Sequence, residues 1–104
     1  MLVRYSGEDL KRLADDAGFR SGRWDADLVR SYRRRHQSLV AAEDREDLRA
    51  LRSLDLRSEN ARDGARASIR LVDGARLLLD FDVVESNEVT VVGIVESDTR
   101  EVAP

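Results

Sequence analysis

The feature that most constrains this chain is a change in its hydrophobic period. In the first half, apolar residues recur every three or four positions, the spacing of one helical face. Leu10, Leu13, Ala14 and Ala17 form one such stripe, and Leu28, Val29, Tyr32, Leu39 and Val40, with His36 between them, form a second. Leu48, Leu51 and Leu54 form a third. From Ser68 onward the period becomes two: Ile69 and Leu71 alternate with Ser68 and Arg70. Leu77, Leu79, Phe81 and Val83 then alternate with Arg76, Leu78, Asp80 and Asp82. A chain patterned this way puts helices on one face of a sheet, the α+β arrangement.

Punctuation residues give the limits of each element. Met1 to Tyr5 reads as a strand. Ser6, with Asp9 three residues on, predicts a helix start, and Gly18 a stop. Asp25 predicts the cap of a longer helix running to about Ala42, and Asp44 to Leu54 reads as a third helix with acids first and arginines last. Residues 55–66 hold no apolar side chain larger than Ala except Leu56 and read as an exposed connection. Asp73-Gly74 and Glu85-Ser86-Asn87 mark two hairpin turns. Val89 to Val95 is apolar on both faces, as a central strand would be, with Gly93 a candidate bulge. The 104 residues make one domain, with a short acidic tail from about residue 98.

Composition removes several chemistries. The chain has no Cys and one histidine, His36, so disulfides, thiolate nucleophiles and Cys-based metal sites are excluded. A zinc site would need a carboxylate remainder, which is poor zinc chemistry, and neither metal nor cofactor is expected. The apolar runs are too short to span a membrane, and Met1-Leu2-Val3-Arg4-Tyr5 lacks the layout of a signal peptide. A cytoplasmic domain with no membrane partner is expected. The helical phase of His36 beside the core stripe makes it a structural histidine.

Register arithmetic singles out two arginines. A two-residue turn at Asp73-Gly74 pairs Leu71 with Arg76 and mixes charge with apolar on both faces. A three-residue loop, Val72-Asp73-Gly74 with Gly74 left-handed, pairs Arg70 with Arg76 and Ile69 with Leu77 and leaves one face apolar. Arg70 and Arg76 are therefore expected side by side on the open face, where like charges oppose each other. Either an anion binds between them, or carboxylates of the same face, Asp80 and Asp82, compensate them.

The same residues carry a family likeness. The chain resembles the RelE/ParE toxin superfamily, and within it the HigB-like plasmid-maintenance killer toxins. The likeness rests on Phe19-Arg20-Ser21-Gly22-Arg23-Trp24 followed by Leu28-Val29-Arg30-Ser31-Tyr32-Arg33. It continues through Ala41-Ala42-Glu43-Asp44-Arg45-Glu46-Asp47-Leu48 and Leu51-Arg52-Ser53-Leu54, then Ser68-Ile69-Arg70-Leu71, Arg76-Leu77 and the strand from Val91 to Val95. It covers roughly residues 3–98. The resemblance implies a RelE-like fold and the toxin component of a type II toxin–antitoxin system. Such toxins inhibit translation by ribosome-dependent mRNA cleavage, the 2′-hydroxyl attacking the adjacent phosphate.

By that likeness Arg70 and Arg76 carry the phosphate role, Glu96 or Asp98 handles the proton, and Arg57, Arg62, Arg66 and Arg100 bind RNA. The implied partners are a cognate antitoxin of helix-turn-helix type, the ribosome and mRNA. Relatives end their last strand with aspartate–tyrosine–histidine, whereas this chain reads Glu96-Ser97-Asp98. Asn60-Ala61-Arg62 replaces their lysine–glycine–aspartate, and a histidine near Asp55 is absent. A second reading therefore stands beside the first: a non-enzymatic or degenerate toxin-fold protein that binds an antitoxin or another target, as ParE-like gyrase inhibitors do. A third, a nucleic-acid module resting on Arg33-Arg34-Arg35, is weak because three consecutive helical side chains point in three directions.

Charge is distributed unevenly. The net value of −3 is low for a nucleic-acid binder, but residues 1–42 carry nine basic and six acidic groups. Residues 80–104 carry one basic and seven acidic groups. Arg70 and Arg76 lie at the boundary between the two regimes.

Overall fold

The computed structural model describes residues 1–16, 18–19, 22–58, 65–82 and 87–96, with Asp73 described by its backbone alone. Strand β1 (Leu2–Tyr5) leads to helices α1 (Glu8–Asp15), α2 (Ala26–Ala41) and α3 (Arg45–Ala50). Four strands follow: β2 (Arg57–Ser58), β3 (Arg66–Arg70), β4 (Arg76–Phe81) and β5 (Glu88–Val95). They form one mixed sheet in the order β1-β5-β4-β3-β2, with β1 parallel to β5 and the other pairs antiparallel. This is the α+β class that the change of period predicts.

Helix starts follow local chemistry at two of three positions. The Asp25 carboxylate accepts from the Leu28 amide at 2.8 Å, and Asp44 caps the Glu46 and Asp47 amides. Ser6 does not cap α1, which begins after Gly7 with no side-chain cap. Its hydroxyl donates instead to the carbonyls of Val91 (3.3 Å) and Val92 (2.9 Å). The reason lies in β5, where Leu78 pairs with Gly93 and Leu79 with Val91, leaving Val92 as the extra residue of a bulge. The bulge expected at Gly93 is thus present, one position earlier in its unpaired residue.

The helical stripes and the inner sheet face make the core. Leu13, Tyr32, Leu39, Leu48, Leu54, Ile69, Leu77, Leu79 and Val91 are buried. Two expected members are not: Val40 and Leu51 are each about half exposed. Val40 lies near the C-terminal end of α2, and Leu51 occupies the break between α3 and a 3-10 turn at Arg52–Leu54. That break divides the third helix expected over Asp44 to Leu54. Residues 55–66 are likewise more than a connection, because Arg57 and Ser58 add an edge strand to β3.

The β3–β4 register is the one the alternation requires. Arg70 pairs with Arg76 and Ile69 with Leu77, and Val72–Gly74 form the connecting 3-10 turn with Gly74 at φ 81°. Ala17, Arg20, Ser21, Asn60, Ala61, Arg62, Val83, the Glu85-Ser86 half of the second turn, Ser97, Asp98 and Arg100 lie outside the described residues. No helix among the described residues is long and apolar enough to cross a membrane.

Candidate functional site

The open face of the sheet carries a polar cluster built by strand parity. Arg57 pairs with Ser68 across β2–β3, and Arg70 pairs with Arg76 across β3–β4, so all four side chains share that face. Two residues before Arg57, Asp55 lies on the segment leaving the 3-10 turn, with a left-handed backbone (φ 49°, ψ 57°). Among the described residues it is the one non-glycine with positive φ. Aspartate is among the residues that tolerate this region best.

Asp55 is the centre of the cluster. One carboxylate oxygen, Oδ2, lies 2.9 Å from Arg57, 3.1 Å from Arg76 and 3.5 Å from Arg70. Partial desolvation pushes its pKa up. The hydrogen bond from Arg76 and the charges of Arg57, Arg76 and Arg70 outweigh that and hold it below the ordinary value. The compensating carboxylate is therefore Asp55. Asp80 instead forms a two-pronged ion pair with Arg66, its direct cross-strand partner. Asp82 is exposed and lies just past the end of β4.

Arg76 and Arg70 are not equivalent. Arg76 donates to Ser68 Oγ at 2.7 Å, to the Ser68 carbonyl at 3.0 Å and to the Asp55 carbonyl, and its side chain is 18% exposed. This covers Ser68, which is fully buried although it lies on the open face. The Arg70 and Arg57 side chains are 56% and 61% exposed and keep donors toward solvent.

A cleft of about 620 Å³ opens beside this cluster, walled on the other side by α2. Asp27, Arg30, Ser31 and Arg34 line it at i, i+3, i+4, i+7, together with Arg35. The floor is the turn from Leu71 to Ala75, tied to α2 by the Val72 amide donating to Ser31 Oγ at 3.1 Å. Six arginines (30, 34, 35, 57, 70 and 76) face two aspartates, 27 and 55. Arg30 pairs with Asp27 at 3.0 Å, while the Arg34 side chain has no partner among the described residues. Burial, with Arg34 and Arg70 adding to it, lowers the Arg35 pKa from its ordinary value. An arginine so lowered still carries its charge at neutral pH.

The triple-arginine run does diverge. Arg33 turns to the end of α1 and donates to the Leu13, Asp16 and Phe19 carbonyls. Arg34 faces the cleft, and Arg35 donates to the Arg70 carbonyl at 2.9 Å and the Ser53 carbonyl at 3.2 Å. Sequence reasoning missed Asp55, Arg30, Arg34 and Arg35 as site residues. A signal for Arg30 and Arg34 was present: Asp27, Arg30, Ser31 and Arg34 make a polar stripe at helical spacing. Asp55 has only Arg57 nearby in sequence to mark it, since its other partners stand up to 21 residues away.

Of the sequence-predicted site residues, Arg57, Arg70 and Arg76 come together. Arg66 stands near the other end of β3 with Asp80. Glu96 follows Val95, the residue paired with Arg76, and is exposed without lining the cleft. Among the described residues, no three His, Asp or Glu side chains converge to hold a metal ion. His36 is half-buried and its Nε2 lies 2.5 Å from the Tyr5 hydroxyl, a structural role.

Chemically, a cleft this rich in guanidinium groups is suited to oxyanions. Guanidinium forks match phosphate oxygens in pairs and stay charged at any working pH. In comparison with known proteins, no family model and no curated protein matches this chain. By its own geometry the chain is a small α+β domain with an arginine-lined cleft.

Proposed function

We propose that this chain is a HigB-like toxin of the RelE/ParE superfamily, with the RelE-like fold, acting on RNA through the arginine cleft. The observation that supports this most is the cross-strand pair of Arg70 and Arg76 at the edge of a cleft lined by four further arginines. In this reading Arg57, Arg70, Arg30 and Arg34 hold the phosphodiester backbone, and Arg76 fixes the sheet beneath them. Charge developing on the attacked phosphate is stabilised by guanidinium groups already in place. Its partners are a helix-turn-helix antitoxin, which keeps it inactive, and the ribosome with its bound mRNA in the cytoplasm. Induced expression should arrest growth, relieved by the neighbouring reading frame, and ribosome-dependent mRNA cleavage should disappear in Arg70→Ala. Undiminished cleavage in that folded variant would overturn the assignment.

A specific feature favours a second reading, a non-enzymatic toxin-fold protein. The donors of Arg76 are committed to Ser68 and Asp55, and the Asp55 carboxylate, held in its charged form, is a weak base at neutral pH. Growth arrest with intact mRNA would select this reading.

A further inference from the structure

The placement of Asp55 has a consequence for what the cleft accepts. Its Oδ2 stands where an oxygen of a bound anion would meet Arg57, Arg70 and Arg76. We propose that Asp55 is an internal competitor for this seat, so that the cleft admits ligands with at least two adjacent negative charges and discriminates against single carboxylates. The inference rests on the anion-binding reading of the cleft and adds its selectivity.

Three observations carry it. First, the three arginines differ in how firmly they are held. Arg76 is fixed by Ser68, while Arg57 and Arg70 are mostly exposed and, among the described residues, their side chains pair with a charged group only at Asp55. These two can turn toward an incoming ligand without breaking any other ion pair among the described residues. Second, Asp55 is anchored by its backbone, because Arg76 also binds its carbonyl. Its carboxylate can rotate away while the segment stays in place. Third, a monoanion entering the seat only exchanges one carboxylate for another and gains nothing in charge. A ligand with neighbouring anionic groups reaches Arg57 and Arg70 and also Arg34, whose side chain has no partner among the described residues. Consecutive phosphates have this chemistry, whether inorganic or part of an RNA strand.

The test measures binding of inorganic tripolyphosphate, and separately of a fluorescent oligouridylate, to wild type, Asp55→Asn and Glu46→Gln. Glu46 is an exposed acid that pairs with Arg49 on α3 and does not line the cleft, so it controls for net charge. At low salt Asp55→Asn should bind tripolyphosphate about fivefold more tightly than wild type, and Glu46→Gln should not. Equal or weaker binding by folded Asp55→Asn, or an equal gain in Glu46→Gln, overturns the proposal. So does failure of tripolyphosphate to bind any of the three. Should Asp55→Asn not fold, the wild-type Asp55 carboxyl carbon resonance decides. It should shift as tripolyphosphate saturates, and an unmoved resonance at saturation overturns the proposal. Tripolyphosphate behaving as expected while oligouridylate binds no variant supports the Asp55 role and removes RNA from the reading above.

Discussion

Arg70 and Arg76 face each other across the β3–β4 hairpin, yet one is a surface side chain and the other a structural one. Arg76 reaches diagonally over Ser68 and out to Asp55, while the Arg70 side chain makes the longer contact to Asp55 at 3.5 Å. The difference follows from position. Arg76 lies at the start of an interior strand, paired on both sides, and Arg70 at the end of its strand, beside the cleft.

Substitution should therefore separate the two. Arg76→Ala removes a half-buried guanidinium that donates to both Ser68 and Asp55, and should cost about 2–3 kcal/mol of stability. Arg70→Ala should change stability by no more than about 0.5 kcal/mol, as exposed substitutions do. Urea unfolding of the two variants checks this. A comparable loss in both would mean that the pair acts as one structural unit.

Asp55 predicts a pH signature. Its folded pKa lies below the ordinary 3.8, so its contacts stabilise the fold above that value. That contribution is lost as pH falls below 3.8 and through the lowered folded value. Asp55→Asn should be less stable than wild type at neutral pH. The gap between them should stay level down to about pH 5 and then close. Denaturant midpoints of both proteins across that range measure the gap.

What could be read in advance follows from how local each cause is. The change of period, the Asp25 and Asp44 caps and the Arg70–Arg76 register were legible because each depends on residues a few positions apart. Burial of one sheet face then leaves a single register open. Strand β2 was not legible, because two residues are too few to show alternation and their pairing is decided by β3. Ser6 was misread for a similar reason: a carbonyl exposed by the bulge at Val92, far along the chain, takes its hydroxyl. Asp55 is the clearest case. Its role depends on three arginines brought to it by the sheet, and nothing adjacent to it in sequence except Arg57 gives that away.

His36 should make the fold sensitive to mild acid. Burial lowers its pKa from the ordinary 6.5 against the opposing pull of Asp15, and its ring stacks on Tyr5 with centroids 5.8 Å apart. The unfolded chain therefore takes up a proton at a higher pH than the folded one. Stability should fall as pH drops through 6.5 toward about 5, and His36→Gln should lack that decline. Thermal midpoints at the two pH values test it. Equal declines in both proteins would place the acid sensitivity elsewhere.

The last expectation concerns Arg34, whose side chain stands across the cleft from the sheet arginines. If oligouridylate runs along the cleft, Arg34→Ala should weaken binding and reduce the dependence of log affinity on log salt by about 0.7 per lost phosphate contact. Arg57→Ala should do the same, since both side chains are exposed at the cleft walls. Arg33→Ala should leave the salt slope alone, because Arg33 is turned to the end of α1, although removing its three carbonyl contacts should lower stability. The adjacent helix positions Arg33 and Arg34 thus give a test internal to the protein. Fluorescence anisotropy over a salt series reads the slopes, and equal slopes for wild type, Arg34→Ala and Arg57→Ala would show that the cleft does not hold the RNA backbone.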